Sequence, residues 1–183
     1  MRPTIALAFA ALALLALAAA PQEARAMTAE EINKAADETL KSFVAQTPEA
    51  RDLAKKAVGV LVFPSILKAG FGIGGEYGEG VLIENRQVGG YYNIVSASFG
   101  FQLGVQERSV IIMFMTESAL RSFESTYGWK VGVDGSIVVL TVGAGGTIDT
   151  ENLTSPVIAF VLDQSGLMYN LSLEGSKISR INR

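Results

Sequence analysis

GVLVFPSILKAGFGIGGEYGEGVLIE, residues Gly59 to Glu84, is the stretch on which the fold turns. It opens as an apolar run, meets Pro64, and continues as a ladder of glycines. Gly70, Gly72 and Gly74 alternate with Phe71 and Ile73, and Gly78 and Gly80 repeat the spacing after Tyr77. Successive side chains on a strand point to opposite faces, so such a ladder leaves one face as bare backbone. Glycine weakens a strand by its entropy and its lack of packing surface. Something close must offset that cost: an aromatic ring, another backbone, a bend or a ligand. A dinucleotide would suit Gly70-Phe-Gly72-Ile-Gly74-Gly75, which spells G-x-G-x-x-G. That turn needs a helix N-terminus behind it to hold the pyrophosphate, and here an acidic, strand-like segment follows. The ladder therefore reads as a tightly curved strand pair. Val60 to Phe63 forms a short strand before it, and Ala69–Glu76 and Glu79–Glu84 pair through a turn at Tyr77-Gly78.

The texture upstream is different. Residues 1–26 carry an early Arg2, an apolar run from Ile5 to Ala20, Pro21, and Ala24-Arg25-Ala26. This is the pattern of a cleaved secretory signal, and its run of about 16 residues is short for a spanning helix. The expected division is a signal peptide over 1–26 and one domain over 27–183, with a periplasmic or secreted location. Removing Arg2, Glu23 and Arg25 with the signal leaves 157 residues carrying 13 basic and 17 acidic side chains. A net charge of −4 argues against nucleic acid as a general partner. With no histidine and no cysteine in the chain, Ser-His-Asp and Cys-His catalysis, disulfides and ordinary zinc sites are excluded. Any enzyme here must work with carboxylates, lysine, serine or tyrosine, and no cofactor or metal is expected.

Thr28 and Glu31 form a capping box, and Ile32, Ala36, Leu40, Phe43 and Val44 recur at helical spacing, so a helix is expected over Met27–Gln46. A second, opened by Pro48, runs to about Ala57. Downstream, Tyr91–Val105 reads as an alternating strand and Val110–Met115 as one buried on both faces. A short helix is expected near 117–125. Asp134-Gly135 has the signature of a two-residue hairpin between Trp129–Val133 and Ser136–Val142. A second hairpin is expected around residues 163–166, and a last strand over Lys177–Ile181. The fold class is α+β: N-terminal helices packed on a strongly curved, mostly antiparallel, glycine-rich, barrel-like sheet.

Charge is uneven along this chain. Residues 28–47 balance at −2, whereas Pro48–Lys68 and the tail from Glu174 each balance at +2. If the cations share a face, each contributes about 1 kcal/mol toward an anionic lipid surface. Among the acids, Glu76, Glu79 and Glu84 lie close in sequence, and Asp149 and Glu151 sit in a polar loop that calcium could use. Solvated loop acids explain the last two as well.

Four segments together resemble a known family: the Gly59 stretch, GYYNIVSASFGFQLGVQ, ALRSFESTYGWKVGVDGSI and GLMYNLSLEGSKISRI. In this order they are similar to the SYLF-domain family, from roughly Lys56 to Ile181. The resemblance implies lipid binding without catalysis, at an anionic phospholipid or membrane surface, through basic residues and an N-terminal amphipathic helix. Carried onto this sequence, the basic contacts are Lys55, Lys56 and Lys68, and the apolar contacts are Ile32, Leu40 and Phe43. Lys68 is then the functional residue of the glycine stretch, and Lys68→Glu is expected to spare folding. A small outer-membrane barrel or structural envelope protein is the first alternative, set back by the apparent shortness of the strands. A carboxylate-dependent hydrolase is the second.

Overall fold

A computed structural model describes residues 26–142, 154–163, 173 and 175–183, with backbone alone at residues 49, 69–73, 98–105 and 163. Three helices precede or interrupt the sheet: α1 (Ala29–Gln46), α2 (Pro48–Lys56) and α3 (Glu117–Ser125). The strands are β1 (Gly59–Glu84), β2 (Gln87–Phe114), β3 (Trp129–Lys130), β4 (Ile137–Val142), β5 (Val157–Asp163) and β6 (Lys177–Ile181). The α+β class, the N-terminal helices and the curled sheet are as expected.

The helix ends follow their sequence signals. Thr28 caps α1, with its side chain accepting from the Glu31 amide while the Glu31 carboxylate accepts from the Thr28 amide. Pro48 begins α2, and Lys55 and Lys56 close it, where cations complement the helix dipole. Thr116 caps α3 through the Ala119 amide.

The glycine stretch differs from the expected strand pair. β1 is one strand of 26 residues, antiparallel to the 28 residues of β2 along nearly their whole length. No turn occurs at Tyr77-Gly78; both residues remain in the ladder opposite Val95 and Ile94. The turn is at Asn85-Arg86, where Glu84 pairs with Gln87. Pro64 does not end the strand either. It lies in a bulge, where the register shifts between Phe63 and Ile66, and a proline is tolerated there because a ladder hydrogen bond is already lost. The Ser109 hydroxyl donates to the Pro64 carbonyl across this bulge at 2.7 Å.

The long ribbon folds back on itself across the glycine ladder. A Cβ at Gly80 would stand 2.3 Å from the Val62 carbonyl oxygen, and one at Gly78 would stand 2.7 Å from that of Ser65. The close approach of neighbouring backbone is thus what these two glycines permit. A second register shift falls between Gly70 and Gly72, midway between the two halves.

Folding the ribbon gives the sheet its two cores. Inside lie Leu61, Phe63, Ile66, Leu82, Ile112 and Phe114, with Phe123 of α3 and Trp129. Outside, the alternate positions Val60, Val62, Ile111, Met113, Ile158 and Phe160 meet Ile32, Ala36 and Phe43 of α1. Val110 to Phe114 is fully buried on both faces, as its unbroken apolar sequence predicts. The sheet order is β3-β6-β2-β5-β4, with β1 paired to β2. β2 serves both ends: Tyr91–Val95 pairs with β6, and Arg108–Phe114 pairs with β5.

Two further expectations change. β3 and β4 do not form a hairpin; β3 pairs with β6, and β4 lies parallel to β5. Asp134 closes a local turn instead, its carboxylate accepting from the Lys130 amide at 2.6 Å, while Gly132 takes a positive φ. β6 forms as expected, but the hairpin around residues 163–166 lies outside the described residues, as do the signal-peptide pattern and Asp149 and Glu151.

Candidate functional site: a basic-rimmed apolar groove

The C-terminal part of α1, one face of α2 and the tip of the β1–β2 hairpin enclose a groove of about 670 Å³. Its floor is apolar: Leu40 and Val44 from α1, Ala54 and Ala57 from α2 and its end, Val60 and Ile83 from β1. Arg51, Lys55, Lys56 and Arg86 stand at its lip with a single acid, Glu117. That acid pairs with Arg121 at 3.6 Å, with both side chains about two-thirds exposed, so the contact is weak. Lys55 reaches Asp52 at 3.1 Å, but both side chains are about 70% exposed, so this pair is weak and opens readily. Among the described residues, Arg51, Lys56 and Arg86 have no ion-pair partner.

The six residues expected from the sequence therefore divide. Lys55, Lys56 and Leu40 come together in the groove. Ile32 and Phe43 are fully buried between α1 and the sheet, with the Phe43 ring 4.9 Å from that of Phe160. Lys68 lies on β1, away from the groove lining, and is largely buried. Its ammonium is 3.5 Å from Glu76, whose other oxygen accepts from Arg108 at 2.5 Å. Burial holds the Arg108 pKa below its ordinary value, an effect that the Glu76 charge opposes. Glu79 forms a separate pair with Arg183 and also accepts from the Tyr77 hydroxyl at 2.6 Å. Burial, then this hydrogen bond, raises the Tyr77 pKa. Glu76 and Glu79 are thus bound in three ion pairs with separate cations, which leaves neither as a free acid–base partner of the other.

Arg51 and Arg86 were missed in the sequence as site residues. Arg51 was visible in the +2 charge of its segment, but Arg86 had no such signal, because it reaches the groove only through the hairpin. The basic tail does not join them. Arg180 donates to the Gly89 carbonyl at 2.9 Å, Arg183 is taken by Glu79, and the Lys177 ammonium lies 5.6 Å over the exposed Tyr127 ring. Among the described residues no helix is long and apolar enough to cross a membrane, and no group of acids could hold a metal ion.

Comparison with known proteins agrees with the resemblance read from the sequence. The model of the Ysc84 family, described as "Las17-binding protein actin regulator", matches residues 95–182. The SH3 domain-containing YSC84-like protein 1 of Xenopus laevis is 28% identical over 127 residues, covering 66% of this chain and 37% of that protein. The chain thus matches little more than a third of its relative's length. The family match covers most of β2, α3 and β3 to β6, and it begins downstream of the glycine stretch. On these matches the chain is similar to the SYLF (Ysc84) family, over residues 95–182 by the family model and over 127 residues by the relative.

Proposed function

We propose that this chain is a non-catalytic lipid-binding domain that docks on anionic phospholipid through the α1–α2–hairpin groove. The observation that carries this reading is the groove itself: four cations against one acid around an apolar floor. Cations near an anionic surface contribute about 1 kcal/mol each, and the floor offers apolar contact to the upper acyl region. Similarity to the Ysc84 family supports a binding role rather than an enzymatic one. The family description speaks of actin regulation. The export pattern of residues 1–26 supports instead a periplasmic or secreted site of action at a bacterial envelope, and this location belongs to the same proposal.

Co-sedimentation with phosphatidylglycerol and phosphatidylcholine vesicles tests it. The protein is expected to bind the anionic vesicles and to be released as salt rises, since exposed charges are screened within about 10 Å at 0.1 M. Arg51→Glu with Lys56→Glu reverses two lip charges and is expected to weaken binding by about thirtyfold or more. Binding of this variant equal to that of the unaltered protein would overturn the reading.

A further inference from the structure

We infer that Arg86 is the residue that grips the phosphate of the anionic head, and that the β1–β2 turn is held in a strained backbone conformation to place it there. This inference rests on the groove being the lipid site. Asn85 and Arg86 have φ of 49° and 64°. With Glu84 paired to Gln87, they form a two-residue hairpin loop with both central residues left-handed. Such loops favour glycine at the second position because a side chain there crowds the backbone. Asparagine tolerates that region; arginine has no local hydrogen bond that would offset it. Pairing of β1 with β2 on both sides of the turn fixes the conformation whatever residue occupies it.

The strain has a spatial consequence. It sets a long cationic side chain at the groove lip, opposite Arg51, Lys55 and Lys56 of α2. The side chain is exposed, and no hydrogen bond or ion pair engages it among the described residues. Glycine would relieve the turn, so the arginine is maintained at a cost to folding. A guanidinium presents a planar fork of donors that meets two phosphate oxygens at once, which an ammonium does not. The lysines of α2 supply general attraction, and Arg86 supplies geometry.

The test compares the full chain with Arg86→Gly, Arg86→Lys and the Arg51→Glu/Lys56→Glu double variant. Each is titrated with phosphatidylglycerol vesicles and with phosphate-free galactosyl-diacylglycerol vesicles brought to the same surface charge by oleate. Arg86→Gly is expected to unfold at a higher temperature than the unaltered protein and to bind phosphatidylglycerol about fivefold or more weakly. Arg86→Lys keeps the charge and is expected to lose the preference for phosphatidylglycerol over oleate. The inference is overturned if Arg86→Gly binds within about twofold of the unaltered protein, or if Arg86→Lys keeps that preference. If the double variant weakens binding while Arg86→Gly does not, only the role of Arg86 fails. If neither weakens it, the groove itself is not the site.

Discussion

Glu84, the last residue of β1, sits beside the turn that carries Arg86. Burial raises its carboxyl pKa above the ordinary range near 4.5, and the charges of Glu124 and Glu117 add to this, while Arg180 opposes it. A raised native pKa means that the folded chain favours the protonated form. The associated stability is fully present below about pH 4.5 and is lost as pH rises through the native value. At neutral pH an ionised Glu84 therefore works against folding. Glu84→Gln removes that cost, so its thermal midpoint is expected to exceed that of the unaltered protein at pH 7 and to converge with it at pH 4. The gain is small because the side chain is partly solvated and screened. Equal midpoints at pH 7 would mean that the carboxylate is better solvated, or more strongly held by Arg180, than its surroundings indicate.

At the scale of the element, the β1–β2 ribbon is stapled across its fold by Glu76, bound to Lys68 and Arg108. This changes the expectation for Lys68. Lys68→Glu would set a second carboxylate against one that is 8% exposed, leaving Arg108 to neutralise both. Breaking a buried pair costs about 3–5 kcal/mol. With Arg108 remaining, a loss of about 2 kcal/mol is expected in urea unfolding, against little change for Lys55→Glu on the exposed end of α2. A neutral result for Lys68→Glu would show that Glu76 is solvated. The sequence made the Thr28–Glu31 capping box and the Pro48 start of α2 legible, together with the apolar face of α1, the doubly buried Val110–Phe114 and the curl of the glycine stretch. It did not reveal that one strand runs through Pro64 and Tyr77-Gly78. Proline usually ends a strand and Tyr-Gly resembles a turn, whereas here a bulge absorbs the first and the partner strand carries the chain through the second. The groove was half legible. Lys55 and Lys56 are neighbours in sequence, but Arg86 joins them only once the hairpin is closed. Lys68 was misplaced because adjacency to the ladder says nothing about the acid eight residues on.

At the scale of the whole molecule, the question is whether α1 leaves the sheet when the protein meets a membrane. Its apolar face is the outer core: Ile32, Ala36 and Phe43 pack on Val62, Ile111, Ile158 and Phe160. Burying a large apolar side chain is worth about 1.5–3 kcal/mol. Insertion of the helix would recover this in lipid for α1 itself but would leave the sheet face in water. The hairpin reinforces the closed arrangement, since Asn33 donates to the Tyr91 hydroxyl at 3.0 Å. Docking through the groove requires no such opening, because Leu40 and Val44 already face it from the intact helix. Strand length no longer argues against a membrane barrel, as β1 and β2 far exceed the roughly 10 residues needed to span. Coverage of both faces of Val110–Phe114 by protein argues against it instead, since a barrel strand alternates between lipid and lumen. Hydrogen exchange of the vesicle-bound protein separates the two modes. With groove docking, amides of residues 29–46 keep their slow exchange, while those of 51–58 and 84–88 become slower. Faster exchange across 29–46 on vesicles would show that the helix detaches and inserts, and the groove would then be a seam that opens rather than the surface that binds.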